Sequence, residues 1–221
     1  MKRTLLVLTL VSLCACVMAQ GRKVSILGDS YSTFKGKIPE GYAVFYPLQG
    51  NDVQNVEETW WSQLISECGY QLEMNNSYSG STICNTGYNR QDYSDRAFVS
   101  RMNELGNPDI LFIFGGTNDA WANSPIGEYK YRGIEKKDLY SFRPAMAYLL
   151  DGLKSLYPDT KIYFLLNTEL KEEINESVKT ICGHYSVPVI VLRDIDKQIS
   201  HPSKAGMTSI ATQIKEFISK E

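Results

Sequence analysis

Histidine is nearly absent from this chain: His184 and His201 are the only two in 221 residues. Neither has a cysteine or a second histidine at the short intervals of a zinc site, so no metal centre is expected. Positive charge is not in excess. The 23 lysines and arginines stand against 25 aspartates and glutamates with no basic stripe, which argues against a nucleic-acid partner. Beyond the first twenty residues there is no long apolar run, and hence no expected membrane span. Cysteine is scarce too. Of five, Cys14 and Cys16 lie in that first run, leaving Cys68, Cys84 and Cys182, an odd number that cannot all pair within one chain. One disulfide with a spare thiol and three buried thiols both fit.

What is present begins with a leader. Met1-Lys2-Arg3 is basic, residues 4–17 are almost unbroken apolar, and Val17-Met18-Ala19 offers small or aliphatic side chains to a signal peptidase. The run is short of the ~20 residues a span needs. A secretory signal over 1–19 is expected, followed by one domain over 20–221 that is periplasmic or secreted. The competing reading is a lipid anchor at Cys16, because Leu13-Cys14-Ala15-Cys16 loosely resembles a lipobox, with Cys14 fitting poorly. Without 1–19 the chain carries 21 basic and 25 acidic side chains.

Five apolar segments read as strands: 23–27, 71–75, 109–114, 161–166 and 188–193. The third, Ile110-Leu111-Phe112-Ile113-Phe114, is continuously apolar, the pattern of a strand buried on both faces of a parallel sheet. Helical stretches lie between them: 57–68, stopped by Gly69; 96–105; one capped by Ser141 and running to Tyr157; 169–185; and a last one capped by Ser203, with Met207, Ile210, Ala211, Ile214, Phe217 and Ile218 at helical spacing. The alternation predicts an α/β protein, a three-layer α/β/α sandwich around a mostly parallel five-stranded sheet. Three polar, aromatic stretches fit neither element: 36–56, 85–93 and 120–137. In such sheets the ligand crevice lies at the carboxyl ends of the strands, so these are candidate cleft walls or else solvated loops.

Four pieces carry chemistry. The first strand runs into Gly28-Asp29-Ser30, where a serine in a glycine-containing turn can present its hydroxyl. Gly80, after the second strand, lets the backbone offer an N–H at close range. Gly115-Gly116-Thr117-Asn118-Asp119 follows the third strand, and Asn118 supplies a neutral amide donor. His201-Pro202 stands directly before the last helix, well placed for a rigid general base, whereas His184 reads as a bystander inside a helix. Each alone is a common turn or cap. In order, at the ends of strands one, two, three and five, they put a nucleophile, oxyanion donors and a base on one rim.

This set resembles the SGNH (GDSL-type) hydrolase family, with Gly28-Asp29-Ser30, Gly80, Gly116-Thr117-Asn118-Asp119 and His201-Pro202 matching its four blocks from about Lys23 onward. Tyr31, Thr33, Glu57 and Trp60-Trp61 add a looser likeness to exported Bacteroides-type members. The resemblance implies a flavodoxin-like sheet, Ser30 as nucleophile, His201 as base, and an oxyanion hole from the N–H groups of Ser30 and Gly80 with the Asn118 side chain. It implies hydrolysis of esters or thioesters, often acetyl groups on carbohydrate, without metal or organic cofactor.

One position departs from the family. An aspartate usually stands three residues before the histidine, and here that residue is Gln198. With a full triad, an acid-to-amide change there costs ~10⁴ in rate. Asp196 or Asp194 can supply the carboxylate instead, with Asp196 favoured because Asp194 directly follows a strand. Alternatively a backbone carbonyl serves in a Ser–His dyad, or the enzyme is crippled. The expected substrate is a small-molecule or polysaccharide ester. Tyr42, Phe45, Tyr46, Trp121, Tyr129 and Tyr131 are candidates to stack on sugar rings or to pack beneath the loops. The rival functions are a lipid or thioester acylhydrolase and a non-catalytic binding protein on the same scaffold.

Overall fold

A computed structural model describes residues 21–167 and 169–220. The leader expected over 1–19, with Cys16, lies outside the described residues. Five strands form one sheet: β1 (Lys23–Gly28), β2 (Gln71–Ser77), β3 (Ile110–Phe114), β4 (Lys161–Asn167) and β5 (Val189–Leu192). Their order is β2-β1-β3-β4-β5, and every pairing is parallel. This is the three-layer α/β arrangement the sequence pattern predicts.

Alternation along the strands divides the core. Leu27, Leu111, Ile113, Phe164 and Leu166 face α2 (Phe98–Arg101), α4 (Phe142–Leu156) and α5 (Glu172–His184). Val24, Ile26, Phe112, Phe114 and Leu165 face α1 (Trp60–Cys68) and α6 (Lys204–Ile218). Phe112 and Phe164 are fully buried on opposite faces, and each such ring stabilises the fold by roughly 1.5–3 kcal/mol relative to exposure. Cys84 and Cys182 are buried thiols and Cys68 is half-buried; none is in a disulfide.

Helix boundaries follow local caps. Thr59 accepts from the Ser62 N–H, so α1 starts at Trp60, three residues later than expected, after a separate 3-10 turn at Val56–Glu58. Ser141 precedes α4, which puts Pro144 in its first turn, where the missing N–H costs nothing. The stretch expected at 96–105 shrinks to the four residues of α2, and Arg101 at its end turns inward instead of facing water. Two small elements lacked any signal: α3 (Thr117–Trp121), and a hairpin of β6 (Lys197–Gln198) with β7 (His201–Pro202).

The chain leaves β1 towards β2 on one side, then crosses to β3 on the other. The crevice at the carboxyl ends of β1 and β3 is therefore the switch point where such sheets bind ligands. Ser30 follows β1, and Asn118 follows β3.

Candidate active site

Beyond Gly28 the chain makes a 3-10 turn at Ser30–Ser32. The Asp29 N–H donates to Phe114 O (3.3 Å), tying the turn to the end of β3, and Asp29 Oδ1 accepts from the Tyr31 N–H (3.0 Å). Gly28 is required by crowding, since a Cβ there would sit 2.5 Å from Ser77 Oγ and 2.8 Å from Ser32 Cβ. Ser30 is the first residue of the turn, so its N–H has no partner inside it.

The Ser30 hydroxyl lies 2.9 Å from Nε2 of His201. The Nδ1 of the same ring lies 2.9 Å from the carbonyl oxygen of Ile199. A carbonyl only accepts, so Nδ1 carries the proton and Nε2 keeps its lone pair towards the serine hydroxyl. The ring is walled by aromatics. Phe45 stacks on it (centroids 3.4 Å, 8° between planes), and Tyr31, Trp121 and Tyr46 meet it edgewise at 5.2, 6.1 and 6.3 Å. Burial pushes the imidazole pKa below its ordinary 6.5 and the Lys197 charge lowers it further, while the Ile199 hydrogen bond opposes both.

The hairpin that carries His201 is held from three sides. Tyr31 Oη donates to Ser200 O (2.8 Å), Tyr46 Oη to Pro202 O (2.8 Å), and Asn51 Nδ2 to Pro202 O (3.2 Å). Its two central residues, Ile199 (φ 50°) and Ser200 (φ 59°), are both left-handed. That is the backbone of a type I′ turn built without the usual asparagine and glycine, and for β-branched Ile199 it is strained.

Asp196, the expected carboxylate partner, points elsewhere. Its Oδ2 accepts from the Ser203 hydroxyl, and Ser203 in turn accepts the Gly206 N–H (3.2 Å) as the cap of α6. The carboxylate is thus taken up by the helix start, and the Ile199 carbonyl occupies the place at Nδ1. Asp194 is exposed, two residues past the end of β5. Gln198 also turns away, accepting from the Asp52 N–H (2.8 Å) through Oε1.

The donors expected to face an oxyanion come from three loops. Among the described residues the N–H groups of Ser30 and Gly80 have no acceptor. Gly80 has φ 83°, a conformation other residues resist. Asn118 Nδ2 donates one hydrogen to Ser81 O (3.0 Å), leaving the second, and its Oδ1 accepts from the Tyr88 hydroxyl (2.7 Å).

Three buried charges lie beneath. Asp119 accepts from the N–H groups of Ile83 (2.8 Å) and Cys84 (3.2 Å), and burial pushes its pKa up to about 6. Asp29 is pushed up to about 7, by burial and by the neighbouring Asp119. The Arg101 guanidinium donates to Asn76 O (2.6 Å), Gly28 O (3.2 Å) and Ser81 Oγ (3.0 Å), lacing the ends of β1 and β2 to the loop after β2. Burial brings its pKa down to about 10. Sequence reading missed Arg101 and Tyr88: an arginine in a helical stretch reads as a surface charge, and nothing local links Tyr88 to Asn118.

Of the six aromatics expected at the cleft, Phe45, Tyr46 and Trp121 surround His201. Tyr42 packs on Tyr78 (5.0 Å), and Tyr131 stacks on His184 (3.9 Å), with Tyr129 behind it (6.4 Å), on the α5 side of the molecule.

The model of the GDSL-like Lipase/Acylhydrolase family matches residues 22–218. A crystal structure of a proposed GDSL-like lipase from Bacteroides ovatus is 57% identical and superposes with a TM-score of 0.90, covering 91% of this chain and 99% of that one. Another, from Bacteroides uniformis, is 56% identical with a TM-score of 0.89, covering 91% and 97%. A family two carbohydrate esterase from Clostridium thermocellum shares the fold at 17% identity and a TM-score of 0.59, covering 90% of this chain and 64% of that one. The comparison with curated proteins gives no match.

Proposed function

The chain belongs to the GDSL-like lipase/acylhydrolase family, and from that premise we propose an exported serine esterase that removes short acyl groups, acetyl foremost, from carbohydrate. Ser30 and His201 work as a dyad, with the Ile199 carbonyl in place of the usual acid. The observation that carries this reading is the chain of two 2.9 Å contacts from Ser30 Oγ through the imidazole to the Ile199 oxygen.

His201 Nε2 takes the Ser30 proton as Oγ attacks the ester carbonyl. The tetrahedral oxyanion is met by the N–H groups of Ser30 and Gly80 and the remaining Nδ2 hydrogen of Asn118. The imidazolium returns its proton to the departing alcohol, leaving an acyl-enzyme. Water enters, loses a proton to the same nitrogen and attacks the acyl carbon, and the imidazolium returns that proton to Ser30 Oγ as its bond to the acid breaks. A carbonyl dipole stabilises imidazolium less than a carboxylate would, so the oxyanion donors carry a larger share of catalysis.

The case for carbohydrate rests on Trp121, a residue 40% exposed beside the imidazole that offers an apolar face to a pyranose. Carbohydrate esterases of the same fold and the leader expected at 1–19 are consistent with this use. Acetate release from acetylated xylan, pectin and mucin glycans, set against long-chain acyl esters, tests the reading. Higher kcat/KM on the acetylated glycans is expected. Turnover confined to long acyl chains would overturn the carbohydrate assignment in favour of a lipid hydrolase.

A further inference from the structure

Asn118 has one amide hydrogen left for an oxyanion only while its amide is held the right way round. A 180° turn about its last torsion would exchange oxygen for nitrogen and present a lone pair to the developing negative charge. Two contacts set the orientation. Ser81 O can only accept, so it fixes Nδ2, and the Tyr88 hydroxyl donates to Oδ1 at 2.7 Å. Asn118 is 2% exposed and Tyr88 half-buried, so both contacts lie largely out of solvent.

Tyr88 sits in the 85–93 loop, in a short 3-10 turn whose next two residues, Asn89 (φ 53°) and Arg90 (φ 60°), are left-handed. The phenol is half-buried, and burial together with the charge of Asp29 and Asp119 pushes its pKa up to about 12. It therefore keeps its proton through the neutral range, and with it the capacity to donate. Donation to a carbonyl also draws electron density from the amide nitrogen and strengthens the N–H it offers onward.

We propose that Tyr88 is a positioning residue of the oxyanion hole: its hydroxyl locks the Asn118 amide so that the second Nδ2 hydrogen faces the Ser30 side. The inference rests on the serine-esterase reading above and goes beyond it, since among the described residues the Tyr88 hydroxyl bonds Asn118 rather than Ser30 or His201.

The test is a double-variant cycle on an acetylated aryl ester, with Tyr88→Phe, Asn118→Ala and both together in the full chain. Tyr88→Phe removes one oxygen and keeps the ring. Its kcat is expected to fall roughly tenfold with KM little changed, and inactivation by a fluorophosphonate should slow in parallel, because that adduct also places an oxygen in the hole. In the Asn118→Ala background the same substitution is expected to do nothing further. A Tyr88→Phe enzyme equal to the parent, or one that loses the same factor with and without Asn118, overturns the proposal. So does loss of its melting transition, which would make the phenol a prop of the fold. Ser30→Ala run alongside separates the two claims: continued turnover by that variant defeats the serine reading itself, whereas a dead Ser30→Ala with an additive cycle defeats only the role of Tyr88.

Discussion

The carbonyl oxygen of Ile199 stands 2.9 Å from Nδ1 of His201, two residues further along the same hairpin, where related hydrolases are expected to have a carboxylate. The imidazole is therefore oriented by its own backbone, and in the proposed dyad neither nearby aspartate is needed as the acid. Asp196→Asn and Asp194→Asn should each leave kcat close to the parent value. Asp196→Asn should still lower stability by about 1–2 kcal/mol, because it weakens the bond to the Ser203 cap of α6. Steady-state kinetics beside thermal melts separates the two effects. A ~10⁴ loss of rate in Asp196→Asn would restore it as the acid.

The left-handed pair Ile199 and Ser200 carries backbone strain that asparagine and glycine would relieve. The combined Ile199→Asn and Ser200→Gly variant keeps the carbonyl at Nδ1 and sacrifices only a half-exposed side chain. It is expected to gain about 0.5–1 kcal/mol in stability with activity maintained, read by denaturant unfolding.

In the proposed mechanism the imidazole must start neutral to take the serine proton, and its pKa is displaced downward from 6.5. The acid limb of kcat/KM should thus lie below pH 6.5, with full activity at neutrality. Lys197 contributes to that displacement, so Lys197→Met should move the limb to higher pH. A limb unmoved or shifted to lower pH would contradict the assignment of His201 as the titrating base.

Asp119 holds two consecutive N–H groups, those of Ile83 and Cys84, on one buried carboxylate. Asp119→Asn sets an amide nitrogen against one of those donors and should cost about 1–3 kcal/mol of stability. Chemical denaturation measures this directly. An unchanged midpoint would mean that the loop does not depend on the carboxylate.

If sugars stack on Trp121, then Trp121→Ala should raise KM for an acetylated oligosaccharide several-fold and change the kinetics of a small aryl acetate far less. Equal losses on both substrates would instead assign the ring to holding His201.

Much of this was legible in the chain itself. The unbroken apolar run at 110–114 marks a strand covered on both faces, and the spacing of Met207, Ile210 and Ile214 marks the helix that covers one of them. Ser30 and His201, 171 positions apart, could be placed on one rim because both follow strand ends. What escaped was decided by tertiary contact. Ile-Ser gives no hint of a type I′ turn, so the Ile199 carbonyl could not be preferred over Asp196. The burial of Arg101 and the link from Tyr88 to Asn118 join segments whose proximity no local pattern encodes. Tyr129 and Tyr131 shared the composition of the cleft aromatics, yet Tyr131 stacks on His184 and Tyr129 lies behind it under Arg143, since composition does not say which way a long loop turns.

The most direct test of the whole account is covalent labelling with a fluorophosphonate followed by mass spectrometry of the tryptic peptide 24–35, which contains Ser30. One adduct per chain on Ser30 is expected, with reaction slowed roughly 10²–10⁴-fold in His201→Ala. Labelling that persists in Ser30→Ala, or that ignores the loss of His201, would contradict it.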